Sequence, residues 1–183
     1  MSRITESIEV DVPRRVAYDQ WTQFEQFPQF MEGVDRVIQL DDRTLDWTVT
    51  IAGKVKHWRA EIVRQEPDTA IAWRSIDGAR NDGAVRFESV DADTTRIELD
   101  LDVEPEGPVE IAGDALGFVA RRAKGDMERF KAFIEARGQE TGAWRGRIPP
   151  AGEPTATDPV GSGTSRGSAT SGGPGSSTEP RSS

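Results

Sequence analysis

This chain of 183 residues contains no cysteine, a single histidine, a single tyrosine and three methionines. Without cysteine it can form neither a disulfide nor a thiolate-ligated metal centre. With His57 as the only imidazole, a nucleophile–histidine pair or a histidine-rich metal set has almost nothing to draw on. No apolar run approaches the roughly 20 residues needed to cross a bilayer. The opening Met1-Ser2-Arg3-Ile4 leads straight into alternation without the apolar core of a signal peptide, so a cytoplasmic protein is expected. Aromatic residues also stop: none follows Trp144, and from Pro149 the chain is mostly Gly, Ser, Thr, Pro and Ala. Such a stretch buries too little apolar area to offset about 1–2 kcal/mol of backbone ordering per residue. The expected organisation is one domain over 1–138, then a disordered tail over 139–183.

The net charge is −9. Beyond Gly138 the charges cancel: Arg145, Arg147, Arg166 and Arg181 stand against Glu140, Glu153, Asp158 and Glu179. The excess negative charge therefore belongs to the body, which makes nucleic acid a poor partner.

The body alternates. Ile4, Ile8, Val10 and Val12 give a first strand, and Pro13 opens a short helix through Val16, Ala17, Gln20 and Trp21. Phe24, Phe27, Phe30 and Met31, interrupted by Pro28, predict a second short helix or turn ending at Gly33. Strands are expected over 34–40, 44–51, 54–65, 69–76, 83–90 and 96–103. The turns fall at Asp41-Asp42, Ala52-Gly53, Pro67-Asp68 and Asp91-Ala92-Asp93. Val119, Ala123, Met127, Phe130 and Ile134 step by three or four along one long helix, with Gly138 as its cap. The order predicts an α+β protein: two short helices after strand 1, then a curved antiparallel sheet packed on a long C-terminal helix.

These residues resemble the polyketide cyclase/dehydrase branch of the START-like, or SRPBCC, superfamily. The resemblance runs through Val12-Pro13, Trp21, Phe24, Phe27-Pro28, Trp58-Arg59-Ala60-Glu61-Ile62, Pro67-Asp68 and Ile71-Ala72-Trp73-Arg74-Ser75. It continues through Gly78, Asn81, Gly83, Val85, Phe87, Pro105-Glu106-Gly107 and the last helix, covering about residues 3–137. It implies the helix-grip fold. The superfamily includes aromatase/cyclases, lipid and quinone carriers and proteins with no assigned ligand, and fold alone does not choose among them.

Strand alternation sorts the side chains into two faces. Trp47, Trp58, Trp73, Ser75, Val85, Phe87, Ser89, Ile97 and Leu99 belong to the set that must face the helix. Asp46, His57, Arg59, Glu61, Arg74, Arg86, Glu88, Arg96 and Glu98 belong to a solvated face suited to cross-strand ion pairs. The inward set offers no histidine and no carboxylate, so no catalytic residue and no metal or cofactor site is assigned. Asp19 and Glu32 sit where they could reach a pocket mouth. Arg121-Arg122-Ala123-Lys124 reads as the solvated face of the helix.

Two readings of the aromatic face stay open: a filled core, or the wall of a cavity for an amphipathic ligand. On the second reading Trp47, Trp58, Trp73, Ser75, Phe87, Ser89, Leu99, Phe118 and Val119 line the cavity. Phe24, Phe27, Phe30 and Met31 then form its lid. The leading expectation is a binding or carrier protein for a polyketide, quinone or lipid-like molecule. The alternatives are a polyketide aromatase/cyclase and a module that grips a protein partner through its apolar groove or tail. A space of several hundred Å³ would mark a ligand site, and methyl-sized voids an ordinary core.

Overall fold

The computed structural model describes residues 2–104 and 109–153, and only the backbone of 109–114. Its elements are β1 (Ser2–Val10), α1 (Arg14–Trp21), a 3-10 helix (Phe24–Gln29), β2 (Val34–Gln39), β3 (Thr44–Ile51), β4 (Lys54–Glu66), β5 (Ala70–Gly78), β6 (Asn81–Asp91), β7 (Thr94–Val103) and α2 (Val109–Arg137). The strands form one antiparallel sheet in the order β1-β7-β6-β5-β4-β3-β2. The two short helices fill the connection between its two edge strands. The sheet curls around α2, so the protein has the START/Bet v 1-like helix-grip fold.

Local chemistry accounts for the elements. Pro13 supplies an extended residue ahead of α1, and its carbonyl accepts from the Ala17 amide at 3.1 Å. Ala52 and Gly53 both have positive φ, 49° and 77°, as a two-residue turn between twisted strands requires. Irregular register between β4 and β5, at Arg59/Ala60 and Ile62/Arg64, adds the local twist that curls the sheet. Gly138 ends α2 with φ 69°, its amide donating to Ile134 O at 2.8 Å.

The faces separate as alternation predicts. On the outer face Arg59 meets Asp46, Arg74 meets Glu61 and Arg86 meets Glu98, each pair in register across neighbouring strands. His57 lies on that face too, exposed, with Nδ1 at 3.2 Å from the Thr48 hydroxyl. The helix stripe is buried: Ala123, Met127, Phe130 and Ile134 pack against the sheet together with Tyr18, Trp21, Phe30 and Phe87.

The expected boundary at residue 138 is wrong. The segment beyond α2 returns along α1 as a strap. Gln20 is fully buried, donating to the Thr141 hydroxyl at 3.1 Å and accepting from the Thr141 amide at 2.8 Å. The Trp144 amide donates to the Thr22 hydroxyl. Arg145 bridges Asp19, which is wholly buried, and Asp68 at 2.8 Å. These two carboxylates hold the Arg145 guanidinium above its ordinary pKa. Ile148 exchanges backbone hydrogen bonds with Gln65, both at 2.8 Å, and is 3% exposed. Composition missed the strap because a segment this short is held by a few specific partners instead of a core of its own. The expected disorder of 154–183 lies outside the described residues, as do Glu106 and the loop around it.

Candidate functional site

Between the sheet and the first half of α2 lies a cavity of about 160 Å³. Trp47, Val49 and Ile51 of β3, Trp58 and Ile62 of β4, and Ile71 and Trp73 of β5 make one wall. Phe118, Val119, Ala123 and Met127 make the helical wall, while Leu99 and Leu101 of β7 flank it. Trp21, Phe24, Phe27 and Met31 close the inner end. Phe118, 39% exposed, marks the side that opens to solvent.

The geometry of the tryptophans follows from register. Trp47 and Trp58 are directly paired across β3 and β4, and their rings stack at 5.6 Å with an interplanar angle of 8°. Trp73 is set off from them by the irregular β4–β5 register, and its indole N–H makes a long hydrogen bond, 3.5 Å, to Asn81 Oδ1. The Trp47 indole N–H is buried without a partner among the described residues.

Three polar side chains interrupt this lining: Asn81, Arg122 and Asp126. The latter two belong to a clasp between α2 and the turn before β2. Arg122 Nη2 donates to Glu32 O and, at 3.5 Å, to Thr50 O. Asp126 Oδ1 accepts from the Glu32 amide at 2.9 Å and from Arg129. Arg129 also donates to Phe30 O at 3.1 Å. Burial raises the Asp126 carboxyl above the usual carboxylate range, against the opposing hydrogen bonds from Arg129 and Glu32 and the charges of Arg129 and Arg122.

The expected site residues divide. Trp47, Trp58, Trp73, Leu99, Phe118 and Val119 meet at the cavity, as do Phe24, Phe27 and Met31. Phe87 does not: it is core, edge-on to Tyr18 at 5.5 Å and to Trp21 at 6.0 Å. Phe30 is core too, 2% exposed against Phe130 and Phe133. Ser75 lies away from the lining, because its hydroxyl accepts from the Asn81 amide at 2.6 Å and ties off the β5–β6 turn. Ser89 is exposed at the irregular end of β6 and donates to Asp91 O. The Phe24–Met31 segment is a packed wall: Phe24 and Phe27 are 5% and 3% exposed.

Two polar residues were misread. Arg122 is not on the solvated face, and Asp19 serves the strap instead of a pocket mouth. Trp21, Asn81, Arg122 and Asp126 were missed. The signal for the last two was present, since Phe118, Arg122 and Asp126 step by four and so share one side of the helix.

Comparison with known proteins agrees with this architecture. A family profile described as "Polyketide cyclase / dehydrase and lipid transport" matches residues 10–132. The chain belongs to that family. It is 51% identical over 149 residues to an uncharacterised 17.2 kDa protein from the melC2-rnhH intergenic region of Streptomyces lincolnensis. That match covers 81% of this chain and 99% of the relative. Among solved structures it resembles DR_A0006 of Deinococcus radiodurans, with 25% identity and a TM-score of 0.61 over 75% of this chain and 99% of that one. It also resembles the Zhui aromatase/cyclase of Streptomyces sp. R1128, with 17% identity and a TM-score of 0.64 over 78% and 99% of the two chains. The latter likeness shows the fold alone.

Proposed function

We propose that this chain binds a hydrophobic, ring-containing small molecule between the stacked Trp47–Trp58 pair and the first half of α2. The observation that carries this reading is the apolar cavity of about 160 Å³ between the aromatic face of the sheet and α2. An apolar protein cavity of roughly 150 Å³ accommodates a benzene-sized guest. The space is well below the several hundred Å³ of a whole drug-sized ligand. It therefore takes one ring system, and any remainder emerges past Phe118. That size favours an aromatic polyketide or a quinone over a fully enclosed acyl chain. Native mass spectrometry of freshly purified protein, with and without 2-acetylnaphthalene, tests the reading. A one-to-one adduct supports it; a domain that stays empty at saturating probe contradicts it.

A second reading, a cyclase or dehydrase, draws on Asp126. It is the titratable group in the lining whose pKa is shifted toward neutrality, as acid–base chemistry next to a bound ring would need. Turnover of a model poly-β-ketone that disappears in Asp126→Asn while ligand binding persists would establish it. Turnover unchanged in that variant would remove the reason for it.

A further inference from the structure

We infer that the ligand carries an anionic oxygen group, and that Arg122 holds it at the cavity mouth. The inference rests on the binding reading above and adds the chemistry of one end of the ligand.

Arg122 lines the cavity and is half-buried. Its guanidinium is held by two backbone carbonyls, Glu32 O and Thr50 O. Carbonyl dipoles orient a guanidinium without cancelling its charge. Among the described residues no carboxylate stands within ion-pairing distance of Arg122; the nearby Asp126 is engaged by Arg129 and by the Glu32 amide. Arg129, two turns further along α2, shows the contrast. It is occupied by Asp126, by Glu32 Oε2 at 3.6 Å and by Phe30 O. Of these two arginines at the clasp, Arg129 is ion-paired directly, whereas Arg122 feels Asp126 only through space and makes no direct ion pair among the described residues.

The backbone is shaped for this placement. Gly33 has φ 74°, and a Cβ there would overlap Arg122 Nη2. The turn therefore leaves the guanidinium its position against Glu32 O. Arginine has five N–H donors in a fixed fork, and Nη2 alone makes these two bonds. Donors remain for a carboxylate or an enolate oxygen, and a preorganised guanidinium binds such a group at little cost in side-chain freedom. The rest of the lining is apolar apart from Asn81 and Asp126. The complementary ligand has a flat apolar body for the Trp47–Trp58 end and an oxyanion near its exit.

The test compares 2-naphthoate with its neutral counterpart 2-acetylnaphthalene by isothermal titration calorimetry at pH 7 and moderate salt. The wild-type chain is expected to bind 2-naphthoate about tenfold more tightly. Arg122→Gln should abolish that preference. Arg122→Lys should keep part of the preference, since it retains charge without the fork. Circular dichroism melting of each variant checks that it folds. Should Arg122→Gln not fold, loss of part of the preference in Arg122→Lys still supports the assignment. No preference in the wild type, or one that survives both substitutions, overturns the role of Arg122 while leaving the cavity reading intact. Binding of neither probe overturns both.

Discussion

The two ends of α2 face the same sheet and come to opposite results. At the C-terminal end Phe130 and Ile134 are completely buried, and Trp21, Phe30 and Phe133 crowd in from α1, the residue that caps the 3-10 helix and α2 itself. At the other end Trp47, Trp58, Trp73, Phe118 and Val119 surround a space. Both ends are rich in aromatic rings. They differ in what stands between sheet and helix: α1, the 3-10 helix and the strap back the packed end, and among the described residues nothing comparable inserts between β3–β5 and Phe118. An aromatic strand face thus becomes core or cavity according to whether a third layer is supplied.

The largest effect belongs to the packed end. Phe130→Ala should lose about 3–5 kcal/mol in urea denaturation, because the rings around it cannot collapse into the vacancy. A loss under about 1 kcal/mol would mean that end is as loose as the other. Next comes the strap. Arg145→Ala leaves the buried Asp19 carboxylate with Arg15, at 3.4 Å, as its ion-pair partner among the described residues, and should cost about 2–3 kcal/mol. An unchanged melt would show that residues 139–148 do not help to hold the body.

Filling the hollow end sharpens the contrast. Val119→Trp should change stability by less than about 1 kcal/mol and weaken 2-acetylnaphthalene binding at least tenfold, read by calorimetry. The same enlargement at Val85, fully buried among the core residues, should cost about 1–3 kcal/mol.

The smallest effects are in pH dependence, and two carboxylates should show opposite signs. Burial raises the Asp126 pKa, so any stability from this group is present below the ordinary carboxylate value and lost as pH rises through the raised one. The Thr5 hydroxyl and then Arg86 lower that of Asp100 on the outer face. Its contribution is present above the ordinary value and lost as pH falls through the lowered one. Asp126→Asn and Asp100→Asn should each flatten one of these slopes, by about 1 kcal/mol or less, in urea titrations between pH 3 and pH 7.

Most of the fold was legible because periodicity and punctuation agreed. Alternation placed each strand to within a residue or two, and Arg59–Asp46 and Arg74–Glu61 formed where opposite charges were expected to face. The helix stripe from Ala123 to Ile134 lay where its spacing put it. Of the candidate site, the three tryptophans came from the same alternation. The rest failed for identifiable reasons. Ser89 and Ser75 fall near strand ends, where irregular register and turn hydrogen bonds override parity. Phe87 has the right face and the wrong end, and one-dimensional spacing does not say which end of a sheet is backed by α1. Arg122 has charged neighbours, Arg121 and Lys124, that suggest a solvated face, but its side chain turns to two backbone carbonyls that no pattern displays. The strap was hidden by a composition that resembles the segment after it.

The most direct measurement is a crystal structure of the chain soaked with 2-acetylnaphthalene. The account predicts electron density for the ring system against the stacked Trp47 and Trp58, with its open edge toward Phe118 and Arg122. Density confined to the outer surface, or side chains from α2 filling that space in the soaked and unsoaked crystals alike, would contradict it.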